Sequence, residues 1–321
     1  MKIFIKPRIH ISLISMHGDG YRGNGGIGFA LEEPKGILTF SVSEHFEFND
    51  RRKFPLSKSE IDQLEITLQE TKISLKLKTN VSVTLEGEMF THYGMGSGTG
   101  ITLACLEGLL TINNKISNKH DLISYSKRGG TSGIGIHTYF DGGFVFDLGA
   151  RNRATDLLPS SRVQNPELPL LLDAIDMPDW KIGLCLGQNL RTKTQEEEVE
   201  FFKRTCPIRT QESHKVLYHI LFGTYASLRE ANIETFANSI KEIQTCEWKK
   251  KERAEHGEPL LKLERKLYQL GAICVGMSSL GPLLFFLSHD GNLKNIAEGM
   301  KEQDCDFIFT SCSNSGRQLT T

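Results

Sequence analysis

The chain has 321 residues, 39% hydrophobic and 24% charged, the balance of a folded globular protein long enough for two domains. Lys and Arg number 38 against 39 Asp and Glu, so the net charge is −1 and no global basic field recruits nucleic acid or an anionic membrane. No apolar run approaches the ~20 residues of a bilayer span. Residues 1–7 lack the apolar stretch of a signal peptide, and the seven cysteines contain no C-x-x-C pair. A cytoplasmic protein with reduced thiols, and neither a disulfide frame nor a zinc site, is expected.

In chain order, residues 2–6 and 8–16 are rich in isoleucine and read as strands, as does the short apolar run 36–42. Ser57 followed by Glu60 is a capping-box pattern, and Ile61, Leu64, Ile66 and Leu68 continue it as a helix. Ile73, Leu75 and Leu77, then Val81, Val83 and Leu85, alternate with polar residues at the period of half-buried strands. Residues 101–110 form a helix apolar on nearly every side. Residues 134–140 and 143–148 read as a strand pair turning at Asp141-Gly142.

The composition shifts over residues 151–169, with Pro159, Pro166 and Pro169, and the domain boundary is placed there: 1–155 and 156–321. The second half carries helical patterns at 195–204, 213–231, 233–251 and 259–270. Short strands at 181–186, 272–277, 283–288 and 306–310 complete an α+β fold class. The run Trp248-Lys249-Lys250-Lys251-Glu252-Arg253 has acids on both sides and reads as a solvated helix face rather than a nucleic-acid patch.

Glycine is the residual signal, 30 in all. One cluster spans 18–28 and includes Gly25 and Gly26. A second, Gly94-Met95-Gly96-Ser97-Gly98-Thr99-Gly100, directly precedes the apolar helix. A third is Arg128-Gly129-Gly130-Thr131-Ser132-Gly133-Ile134-Gly135. Backbone N–H groups in such loops approach anions closely, and a helix beginning there adds its positive dipole end. The second cluster therefore reads as a phosphate cradle, with Ser97 and Thr99 adding hydroxyls. It lacks the Gly-Lys-Ser/Thr of a P-loop and the spacing of a dinucleotide fingerprint. Tight turns alone account equally well for any single cluster. Arg22 and Arg128, each in a glycine cluster, point to a substrate with more than one anionic group.

The order of these segments resembles the β-ribofuranosylaminobenzene 5′-phosphate synthases of the GHMP kinase superfamily. The resemblance runs from about residue 7 to about residue 317. Its motifs are Pro7-Arg8-Ile9-His10 with Leu13-Ile14, then residues 20–28, 94–99 and 128–135, then Gly142-Gly143-Phe144-Val145-Phe146-Asp147. Gly276-Met277-Ser278-Ser279-Leu280-Gly281-Pro282 resembles the family's C-terminal glycine motif. It implies a two-domain GHMP-kinase-like fold with the site in the cleft between halves, Mg²⁺ dependence, no ATP, and a homodimer. The implied reaction joins phosphoribosyl pyrophosphate (PRPP) to 4-aminobenzoate, with loss of CO2 and pyrophosphate, in methanopterin-type cofactor synthesis.

On this reading Gly25, Gly26, Gly96, Ser97, Gly98, Thr99, Arg128, Gly129, Gly130, Thr131 and Ser132 hold the PRPP phosphates. Arg22 acts in catalysis, and Asp147, Ser278 and Ser279 face the cleft, a turn-forming role for Asp147 being equally open. Ser15 stands where the family carries a catalytic aspartate; Asp19, four residues on, is the available substitute. Leu148-Gly149-Ala150 replaces the family's Gly-Gly-His, so either activity is altered or the acceptor is not 4-aminobenzoate but a related aromatic acid, a hydroxybenzoate or a heterocyclic acid. Two alternatives stay open: a GHMP-type small-molecule kinase, disfavoured by the lack of a carboxylate in the third loop before Asp141, and a non-catalytic binding relative, motivated by Ser15. His10 and His17, and His214 and His219, lack the i, i+4 spacing that converges on zinc.

Overall fold

The computed structural model describes residues 1–320 apart from 117, 152–156, 161, 164–166 and 290–291. β1 (Lys2–Ile5), β2 (Arg8–Ser15), β3 (Arg22–Ala30), β4 (Gly36–Ser43) and β5 (Glu47–Asp50) lead into α1 (Lys58–Ser74). β6 (Asn80–Gly87) precedes α2 (Ser97–Ile112), α3 (Lys119–Ser126) and α4 (Ile134–Phe140). β7 (Phe144–Asp147), β8 (Ala150–Arg151), β9 (Leu171–Ile175) and β10 (Lys181–Gly187) follow.

The last part is mostly helical. α5 (Gln195–Thr205) and α6 (Thr210–Tyr218) run on into a π-helical segment, His219–Tyr225, then α7 (Ala226–Arg229). α8 (Ile233–Thr245), α9 (Glu247–Ala254) and α10 (Gly257–Gln269) precede β11 (Cys274–Met277) and β12 (Leu283–Leu287). α11 (Leu293–Gly299), β13 (Cys305–Ser311) and β14 (Gln318–Thr320) complete the described chain.

Three sheets result. Their strand orders are β14-β1-β4-β6-β5, β2-β3-β7-β9 with β8 on β3, and β11-β12-β10-β13. The first packs on α1–α4 through Leu38, Val83, Leu103 and Leu106. The second and third share one core, in which Phe29, Phe144 and Phe285 meet α8 through Phe236 and Ile240. Chain order and packing are interleaved: β14 pairs with β1, and β9 with β7. The expected boundary at 155/156 lies outside the described residues, as does Pro166.

The Ser57 capping box forms, with Ser57 Oγ accepting from the Glu60 N–H and the Glu60 carboxylate accepting from the Ser57 N–H. Several expectations fail. Residues 73–77 are not a strand: α1 runs to Ser74, Ile73 is 75% exposed, and the strand starts at Asn80. Residues 134–140 are helix α4, whose apolar side chains face two neighbours at once. Ile136 and Tyr139 enter the core around α2, while Ile134 abuts β3 at Gly28. A helix buried on both sides lacks a polar face, so its periodicity mimics a strand. Asp141-Gly142 ends this helix, with Gly142 at φ +74° donating its N–H to the Thr138 carbonyl.

The third failure is the first glycine cluster, which is a loop only to residue 21; from Arg22 it is strand β3. A Cβ on Gly25 would lie 2.8 Å from Gly149 N and 2.9 Å from Asp147 O, so backbone approaches backbone there. The helix expected over 233–251 breaks at Cys246, whose extended backbone (φ −69°, ψ 153°) separates α8 from α9. All seven cysteines are free. Among the described residues no helix is long and apolar enough to cross a membrane.

Candidate active site

A cleft of about 240 Å³ opens where the three glycine-bearing loops of residues 94–99, 128–135 and 279–281 converge, closed on one side by α5. Its floor begins at the N-terminus of α2. Gly96 caps that helix in the left-handed region (φ 71°, ψ 18°), and no side chain satisfies the first-turn N–H groups. Those donors and the helix dipole face the cleft, which makes this end an anion cradle. A Cβ at Gly96 would fall 2.7 Å from Arg8 Nε, so only glycine fits beneath that guanidinium.

Arg8 and Arg128 supply the charge. Arg8 Nη1 donates to the Gly94 carbonyl at 2.7 Å, while its buried Nε has no partner among the described residues. Burial pushes Arg8 down to about 10, against the pull of Glu198. Arg128 reaches Thr102 Oγ1 at 3.4 Å, and burial lowers it too, offset by Glu60. A guanidinium that has lost water and found no carboxylate gains most from an incoming phosphate. His92, also lining the cleft, pairs with Glu60 at 3.0 Å. Its hydrogen bond to that carboxylate raises it, while Glu60 resists its own desolvation through His92 and Ser57 and sits at about 2.

The loops are tied to one another by side chains just behind the surface. Ser278 Oγ accepts from His10 N–H at 3.0 Å and donates to the Gly94 carbonyl at 2.7 Å. Asp147 is fully buried at the end of β7. Its carboxylate accepts from Ser132 Oγ (3.1 Å), Gly133 N–H (3.0 Å) and Gly149 N–H (2.9 Å). Burial pushes it up to about 7 against these donors. His10 Nε2 lies 3.3 Å from Ser132 Oγ and is held well below its ordinary value by burial, then by Arg8 and Lys249. Asp147 and Ser278 thus position loops rather than meet a ligand.

Another part of the lining is apolar. Leu13, Phe202 and Leu280 form it and belong to one small core with Met16 and Trp248. Beneath it, Lys249 is fully buried, donating to Glu252 Oε2 at 2.5 Å and to the Met277 carbonyl at 2.9 Å. The expected solvated face of residues 248–253 is therefore half wrong: Trp248, Lys249 and Glu252 point inward and support the loop at 278–281.

Of the residues expected to form the site, Gly96, Ser97, Gly98, Thr99, Arg128, Gly129, Thr131, Ser132 and Ser279 line the cleft. Gly130 does not; a Cβ there would meet Val163 at 2.8 Å. Nor do Gly25 and Gly26, which serve strand packing. Arg22 spends its guanidinium on the carbonyls of Leu148 (3.1 Å) and Gly149 (2.6 Å). Ser15 Oγ donates to the Arg22 carbonyl at 2.9 Å, and Asp19 is exposed near Thr210 Oγ1 at 3.4 Å. Missing from the sequence reading of the site were Arg8, His10, Glu60, His92, Lys193, Glu198 and Glu252, all of which line the cleft. Arg8 and His10 stood in the Pro-Arg-Ile-His motif; Glu60 was visible only as a cap.

No protein-family model matches the chain. A curated β-ribofuranosylphenol 5′-phosphate synthase of Archaeoglobus fulgidus is 29% identical over 326 residues, covering 99% of both chains. Its counterpart from Methanothermobacter thermautotrophicus is 29% identical over 300 residues, 92% of this chain and 90% of that one. The chain is similar to these synthases over nearly all of its given length. A solved homoserine kinase of Cytophaga hutchinsonii superposes with TM-score 0.69 at 15% identity, covering 99% of this chain and 96% of that one. That likeness concerns the fold, which is α+β and GHMP-kinase-like.

Proposed function

We propose that this relative of the synthases is a decarboxylating ribosyltransferase that joins PRPP to a 4-substituted benzoate, releasing CO2 and pyrophosphate. The observation that carries this is the cleft itself: an uncapped helix N-terminus with Arg8 and Arg128 lines it together with the apolar Leu13, Phe202 and Leu280. The first set suits a phosphorylated sugar and the second an aromatic ring. The relatives are named for a ribofuranosylphenol, so 4-hydroxybenzoate is the first acceptor to consider and 4-aminobenzoate the second.

As pyrophosphate departs, negative charge grows on its oxygens. The α2 amides, Ser97, Thr99 and the two arginines are already oriented to meet it. Mg²⁺, when bound, supplies further positive charge to the pyrophosphate. Among the described residues no group of three His, Cys, Asp or Glu side chains is placed to hold a metal. An ion carried in on phosphate oxygens, as Mg²⁺ commonly is, would suit such a site. A homodimer, a cytoplasmic setting suited to seven free thiols, and a role in methanopterin-type cofactor synthesis belong to the same proposal.

The test is incubation with PRPP, Mg²⁺ and a panel of aromatic acids, following CO2 and a ribosylated product. Consumption of ATP without CO2 release would move the chain to the kinases. PRPP binding without turnover of any acid would make it a binding relative.

A further inference from the structure

Among the described residues three carboxylates line the cleft: Glu60, Glu198 and Glu252. Glu60 is engaged with His92 and the α1 cap, and Glu252 with Lys249. The carboxylate of Glu198, in the first turn of α5, has no hydrogen bond or ion pair among the described residues, its backbone N–H alone donating to the Thr194 carbonyl. It is four residues before Phe202, so the two project from one face of the helix, and both reach the cleft. Glu198 therefore shares the cleft with these apolar side chains and lies close enough to Arg8 to feel its charge.

Resting on the ribosyl transfer proposed above, we infer that Glu198 is the catalytic base that takes the hydroxyl proton of an aromatic acceptor seated against Leu13, Phe202 and Leu280. The step balances as follows. The anomeric C–O bond of PRPP breaks and its electron pair leaves with pyrophosphate. The ring carbon bearing the carboxylate attacks the anomeric carbon, while the para hydroxyl gives its proton to Glu198, leaving a cyclohexadienone. The C–CO2 bond then breaks, its pair restores aromaticity, and Glu198 returns the proton to the phenol oxygen. No oxidant or reductant is needed.

The surroundings suit a base that works near neutrality. Burial, then the charge of Glu252, pushes Glu198 up to about 6, while Arg8 and His92 pull it down. Among the described residues, Arg128, Lys193 and Glu60 are the other charged groups lining the cleft, with His10 its remaining titratable side chain. A carboxylate kept for packing or capping would have a donor; the Thr194 cap of α5 uses Glu197 instead.

The test compares Glu198→Gln with wild type on two acceptors at matched PRPP and Mg²⁺, across pH 5 to 9. With 4-hydroxybenzoate, kcat/KM is expected to fall roughly 10²-fold or more, and its acidic limb near pH 6 to disappear. With 4-aminobenzoate, whose nitrogen lone pair drives the ring without prior proton loss, the variant is expected to stay near wild type. Glu198→Asp should recover part of the hydroxybenzoate activity, and an unchanged thermal midpoint would show that the fold is intact. Equal losses on both acceptors, rescue by raised Mg²⁺, or no loss at all would each overturn the assignment. A wild-type protein that converts no aromatic acid would instead sink the proposed reaction, and the role of Glu198 with it.

Discussion

Gly98 gives the sharpest test of the phosphate cradle, because stability and binding should move in opposite directions. It is the second residue of α2, its φ is ordinary, and a Cβ built on it would meet only Arg128 Nη2 at 3.9 Å. Gly98→Ala therefore creates no clash, and by restricting the unfolded chain it should stabilise the protein by roughly 0.4–1 kcal/mol. For a chain of this size that is a rise in Tm of about 1–3 °C. The same methyl group, however, stands beside Arg128 at the mouth of the helix N-terminus, where phosphate oxygens would have to approach the amides. Losing one such hydrogen bond to a charged group costs about 1.5–3 kcal/mol, or roughly 10- to 150-fold in PRPP affinity. Calorimetric titration with PRPP and Mg²⁺, alongside thermal unfolding, reads both. A variant that is more stable yet binds PRPP with wild-type affinity would show that the glycine serves the helix alone and that no phosphate rests there.

Two further outcomes follow from buried charge. Lys249→Met leaves the Glu252 carboxylate buried without its cation; denaturant unfolding should show a loss of about 3–5 kcal/mol, and Lys249→Met with Glu252→Gln should recover much of it. The His92–Glu60 pair should be worth no more than about 1 kcal/mol, since His92 is partly exposed. His92 is raised, so its share is full below the ordinary 6.5 and is lost as pH climbs through the folded value. Glu60 is depressed, so its share is full above the ordinary 4.5 and is lost as pH falls toward about 2. The Tm difference between wild type and His92→Gln should thus be widest between those two ordinary values and shrink outside them. A difference that does not vary with pH would contradict the pairing.

How far the sequence could be read depended on how local each determinant is. The Ser57–Glu60 box and the glycine turn opening α2 are set by groups three or four residues apart, and both were legible. So was the third loop, because Arg128, Thr131 and Ser132 are neighbours in the chain as well as in the cleft. β3, by contrast, contains five residues that disfavour strands or break alternation, yet it lies between β2 and β7 because glycine lets three backbones close on one another.

The sequence alone determined that glycine-rich loops exist, where two of those lining the cleft lie, and that the chain is α+β. Only the tertiary structure decided which arginines serve them. Arg22 and Arg8 look alike in sequence; one faces the carbonyls of residues 148 and 149, the other the cradle. Likewise Glu198 is one of three consecutive acids in the first turn of α5, and helix rotation sends it alone of the three to the cleft. Partnering of a charge is settled by what packs against it across hundreds of residues, and nearest-neighbour chemistry carries no record of that.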